Sequence, residues 1–156
     1  MKRKLFLTAL ILLTACKEPE VSYKPYHHKK APRPQNLDDH IHLSSLAHKV
    51  EAKLLYAIMQ IESANNPKAQ SHKGAISLMQ VMPFNYKRCG LLSPKDLWDA
   101  KKNVDCGAQI ISEELRHFKG NVTKALQAYN GGRGCIGKCR ESVQYSRKVL
   151  EVYRNS

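Results

Sequence analysis

The stretch that decides the fold runs Ile61-Glu62-Ser63-Ala64-Asn65-Asn66-Pro67-Lys68-Ala69-Gln70-Ser71-His72-Lys73-Gly74-Ala75-Ile76-Ser77-Leu78-Met79-Gln80-Val81-Met82-Pro83. It opens on the end of an apolar pattern: Leu54, Leu55, Ile58 and Ile61 recur at helical spacing and predict a helix over 52–62. Pro67 disfavours the α conformation in the residue before it, so the helix must stop by then. Residues 68–77 are rich in turn formers, with Gly74 the expected hinge. Leu78 to Met82 reads as a short helix or an irregular segment closed by Pro83. Glu62 stands at the end of the apolar stripe. Burial beside Ile58 and Ile61, and the negative end of a helix dipole, both disfavour its charged form. A carboxyl kept protonated near neutrality is what a general acid requires. The same local pattern also fits a solvated terminal glutamate.

Outward from this stretch the periodicity stays helical. Residues 41–50 read as a short helix, 103–118 as the longest, 122–129 as another and 142–153 as the last. Ser93 before Pro94 marks a helix start, where Asp96 and Asp99 are ordinary companions, and Asn121 is a candidate cap for 122–129. Gly131-Gly132-Arg133-Gly134 reads as a flexible loop. No strand pattern competes, so the fold class is all-α.

The Glu-Ser, Asn-Pro, Ala, Ser, Gly-Ala, Leu-Met-Gln and Met-Pro order within 61–83 resembles the signature of lytic transglycosylases of the soluble type. Ala128-Tyr129-Asn130-Gly131-Gly132 resembles that family's later Ala-Tyr-Asn motif. Asn103-Val104 with Gly107, and Gly120-Asn121 before Ala125-Leu126, fall in the matching order. The resemblance spans residues 41–153 and implies a lysozyme-like helical fold acting on peptidoglycan without metal or other cofactor. It implies that Glu62 is the single catalytic acid and that Ser71 orients the glutamate or the reacting sugar. It places Met79 and Gln80 on the glycan groove, Tyr129 near the acid and Asn130 beside it. Gly74 and Ala75 match the tight turn that positions these groups. Three positions depart from the pattern. Asn65 replaces a large residue and is expected to weaken packing behind Glu62. Ser77 replaces a glycine and is expected to shift the backbone before Leu78, and Gly131 replaces an alanine. A lysozyme-type hydrolase and a non-catalytic wall-binding protein are the alternatives.

The N-terminus reads separately. Lys2, Arg3 and Lys4 precede the apolar run Leu5–Ala15. That run is shorter than the roughly 20 residues of a membrane span and suits an export signal. Leu13-Thr14-Ala15-Cys16 resembles a bacterial lipoprotein cleavage site, with Cys16 the lipid anchor. The expected organisation is a signal at 1–16, a basic proline-containing tether at 17–37 and one catalytic domain at 38–156. His27 and His28 read as part of the solvated tether rather than as metal ligands. Removing 1–16 lowers the formal net charge from +13 to +10, because Lys2, Arg3 and Lys4 go and no acid does. Of five cysteines, Cys89, Cys106, Cys135 and Cys139 remain. An even number in an exported chain suggests two disulfides, and local pairing, Cys89–Cys106 and Cys135–Cys139, is preferred among the three possible connectivities. The charge excess favours acidic wall and membrane surfaces; no zinc-finger or RNA-module signature supports nucleic acid as the partner. The expected location is the envelope of a diderm bacterium, facing the periplasm. Secretion, conjugation or pilus machinery is an expected associate.

Overall fold

The computed structural model describes residues 36–156; Cys16 and nearly all of the expected tether lie outside them. Among the described residues five α-helices carry the fold: α1 (Leu37–His48), α2 (Ala52–Ser63), α3 (Ala100–His117), α4 (Val122–Gly131) and α5 (Arg140–Asn155). Short 3₁₀ turns occupy Pro83–Asn85, Pro94–Trp98 and Arg133–Cys135. The only extended pairing among the described residues is two isolated β-bridges, Gln70 with Ile76 and Ile76 with Val81.

Local chemistry accounts for most of the boundaries. Asn36 accepts from the Asp39 amide at 2.8 Å, so α1 begins at Leu37, earlier than the periodicity suggested and inside the expected tether. Ser93 and Asp96 form a capping box around Pro94, and Asp96 also takes an ion pair from Lys102 at 2.6 Å. Asp99 caps α3 and Asn121 caps α4. These contacts give Asp96 and Asp99 the structural role their positions suggested. Pro83 opens a 3₁₀ turn instead of closing a helix, and Leu78 to Met82 is irregular.

The core gathers Leu54, Leu55 and Ile58 of α2, Val104 and Ile111 of α3, Leu126 of α4 and Val149 of α5. α1 lies on α3, tied by Ser44 and His48 to Asp105 at 3.0 Å each. α5 packs against both α2 and α4. This brings the start of α5 to the end of α2. Cys89 bonds to Cys106 and Cys135 to Cys139, the pairing preferred from the sequence.

Candidate active site

α2 ends in two consecutive left-handed residues, Ala64 (φ 50°) and Asn65 (φ 61°). Their amides return to the Gln60 and Met59 carbonyls, which stops the helix one residue after Glu62. Asn65 is exposed, and its amide donates to Gln60 at 2.7 Å. It therefore occupies the helix surface and contributes no packing behind Glu62. Asparagine suits this position because its short polar side chain tolerates the left-handed conformation.

The chain then folds back over the helix end. Ser63 donates to the Leu78 carbonyl at 2.8 Å, and Ile76 and Val81 exchange two backbone bonds of 3.1 Å. Ser77 holds a left-handed φ of 63° while fully buried. Its hydroxyl donates to the Pro67 carbonyl at 2.8 Å and its amide to Ala69 at 2.8 Å. The serine thus takes up the backbone geometry a glycine would adopt freely, and two hydrogen bonds offset its strain.

A cleft of about 220 Å³ opens against this fold-back. Glu62, Ser71, Gln80, Tyr129 and Asn130 line it, together with His72, Lys73, Ala75, Met82 and Glu141. Five of the residues named from the sequence therefore converge. Met79 does not: its side chain is fully buried against Gly107, and its main chain serves the site instead. The Met79 carbonyl accepts from the Tyr129 hydroxyl at 2.8 Å, and its amide donates to Asn103 at 2.9 Å. Ser71 accepts from the Ala75 amide at 3.0 Å, and Gln80 donates to the Ser77 carbonyl at 2.8 Å, so both brace the turns that form the cleft wall. Asn130 accepts from Ser142 at 3.0 Å, which links the end of α4 to the start of α5. A side-chain carbon at Gly131 would overlap Ser142 Oγ and lie 2.9 Å from Cys135 Cβ, so glycine fits where the family pattern has alanine.

Burial raises the Glu62 pKa from 4.5 to about 7. The Tyr145 hydroxyl partly opposes this by favouring the carboxylate. That hydroxyl is buried without a hydrogen-bond partner among the described residues, and burial, with the Glu62 charge beside it, pushes its own pKa well up. Burial and the same charge raise Tyr129 as well. Glu62 is thus a half-protonated acid near neutral pH between two tyrosines that remain neutral.

Tyr145 was not among the residues singled out from the sequence. Its signal lies in helical spacing alone: Tyr145 shares the buried face of α5 with Ser142, Ser146 and Val149. Replacing Tyr145 with Phe removes a group that favours the Glu62 carboxylate. The alkaline limb of kcat/KM should then move to higher pH. A pH–rate profile measures this, and an unmoved limb would separate Tyr145 from the acid.

A helical fold with one half-buried, proton-holding carboxyl in a cleft defines a class, and comparison gives the family. A family model described as the transglycosylase SLT domain matches residues 40–150, and the chain belongs to that family. The transglycosylase of Enterobacteria phage PRD1 is 32% identical over 108 residues, covering 69% of this chain and 39% of that protein. Membrane-bound lytic murein transglycosylase E of Buchnera aphidicola is 34% identical over 104 residues, covering 61% of this chain and 47% of the relative. The 70 kDa soluble lytic transglycosylase of Escherichia coli superposes with a TM-score of 0.69 at 25% identity, over 78% of this chain and 24% of that one. An inactive mutant of lytic transglycosylase Slt from Pseudomonas aeruginosa gives 0.68 at 26%, over 72% and 22%. The fold is the all-α, lysozyme-like fold of these enzymes. The chain spans less than half the length of each of these relatives.

Proposed function

We propose that this chain is a peptidoglycan lytic transglycosylase. The carrying observation is the Glu62 carboxyl, held near pKa 7 on the wall of a cleft at the end of α2. In this reading Glu62 donates its proton to the β-1,4 glycosidic oxygen that follows N-acetylmuramic acid. The bond to C1 breaks, and the sugar's own N-acetyl oxygen stabilises the positive charge there. Glu62, now a carboxylate, takes the proton of the same sugar's C6 hydroxyl. That oxygen closes on C1 and leaves a 1,6-anhydro end. One residue serves first as acid and then as base, which a pKa near neutrality allows. Intramolecular closure competes with water because of its high effective molarity.

Tyr129, fixed on the Met79 carbonyl, and Asn130, fixed on Ser142, shape the wall beside the acid. Ser71 and Gln80, on the two turns they brace, line the cleft where the glycan would lie. The N-terminal pattern supports a lipid anchor on Cys16, a short basic tether and a site in the cell envelope, acting in wall remodelling or in local opening of the wall for a secretion, conjugation or pilus machine. Mass spectrometry of glycan digested by the purified protein tests the chemistry: anhydromuramyl ends are expected, and reducing muramyl ends alone would identify a hydrolase.

A further inference from the structure

Lys73 and His72 stand on the cleft wall at the tip of the 71–75 turn. The turn is locked at its base. The Ser71 amide donates to the Ala75 carbonyl at 3.0 Å, the Gly74 amide to the Ser71 carbonyl at 2.9 Å, and the Ala75 amide to Ser71 Oγ at 3.0 Å. The Lys73 backbone is therefore held in place. Its ammonium lies 3.9 Å from the Glu141 carboxylate on the first turn of α5, with the two side chains 68% and 75% exposed. That separation is too long for a hydrogen bond, and an exposed pair of this kind contributes about 0–1 kcal/mol. Glu141 also has a favourable place at the N-terminus of α5 without Lys73. The pair is a weak contact across a cleft, readily exchanged for another anion.

The chemistry of the substrate identifies that anion. The glycan strand of intact peptidoglycan consists of neutral N-acetylated sugars, the lactyl carboxyl of the muramyl residue being consumed in the amide bond to its peptide. Carboxylates occur on the peptide arm. A cation on the wall of a glycan cleft therefore has its partner in the peptide. We propose that Lys73 is a specificity-determining residue that holds a peptide carboxylate of the muramyl residue at the cleft and displaces Glu141 as it does so. This inference rests on the peptidoglycan reading above.

The test compares glycan strands bearing native peptides with the same strands after their carboxylates are converted to amides with carbodiimide and ammonia. The quantity read is the ratio of kcat/KM for native over amidated strands. Wild-type protein should favour native strands. Lys73→Met should lower the ratio about fivefold, mainly through KM, and Lys73→Arg should restore most of it. Glu141→Gln should maintain or raise the ratio, because it removes the competing carboxylate. A wild-type ratio near one, or a Lys73→Met ratio equal to the wild-type ratio, would overturn the proposal. So would a fall in Glu141→Gln matching that of Lys73→Met, since the pair would then be structural. No cleavage of either strand by the wild-type protein would remove the transglycosylase reading and this inference with it, an outcome distinct from active protein with an unchanged ratio.

Discussion

Glu62→Gln lowers glycan cleavage by about a thousandfold or more, with release of soluble fragments as the measure. Glutamine keeps the shape and polarity of the side chain but cannot give up or recover a proton. A positioned general acid contributes about 10²–10⁴ to rate. The upper part of that range applies because the proposed mechanism uses Glu62 twice, first to protonate the leaving oxygen and then to deprotonate the C6 hydroxyl. Activity within tenfold of wild type would show that another group is the acid. The same variant carries a stability signature. Burial raises the folded-state pKa from 4.5 to about 7, so between these values the folded protein binds more protons than the unfolded chain. The contribution of this group to stability therefore falls as pH rises through that window, and the full cost is present above about pH 7. Glu62→Gln should raise Tm at pH 8, by the equivalent of about 1–3 kcal/mol, and by less at pH 5. Lost activity with increased stability at pH 8 distinguishes a buried catalytic acid from a solvated terminal glutamate.

The parts of this fold that were legible in the sequence are those set by neighbours in the chain. The α2 stripe placed Glu62 at a buried helix end, and Ser93 and Asn121 announced caps that the structure contains. Other features depend on chain direction after a turn. Met79 follows Leu78 in a motif associated with the groove, but the tight Ser77–Gln80 turn sends its side chain inward against Gly107. It serves the site only through its carbonyl, which holds the Tyr129 hydroxyl. Asn65 was read only as a loss of packing behind Glu62, whereas its left-handed φ makes it the exposed residue that turns the chain out of α2. Tyr145 is far from Glu62 in sequence, and only the packing of α5 on α2 brings its hydroxyl to the acid. Long-range partners of this kind have no local spacing to reveal them.

Asn103 shows most clearly how the site depends on a residue outside it. In the sequence it is one member of a motif near the start of a helix. In the structure it is fully buried and its side chain makes three hydrogen bonds. Its oxygen accepts from the Met79 amide at 2.9 Å, and its nitrogen donates to the Ile76 carbonyl at 2.8 Å and the Leu97 carbonyl at 3.0 Å. One turn later on the same face of α3, Gly107 leaves room for the Met79 side chain, which an added carbon would strike. α3 thus holds both the main chain and the side chain of Met79, and the Met79 carbonyl in turn anchors Tyr129. Asn103→Ala leaves a buried amide and two buried carbonyls without these bonds. At about 1–3 kcal/mol for each unsatisfied group, with some relaxation, the expected loss is about 3–5 kcal/mol. For a domain of this size Tm should fall by about 10–20 °C. Denaturant unfolding measures the loss, and a change under about 1 kcal/mol would mean that the loop finds other partners. Below the melting transition kcat should fall more than binding, because the Tyr129 wall moves while Ser71 and Gln80 keep their own turn contacts. Equal losses in kcat and affinity would instead indicate general loosening of the cleft.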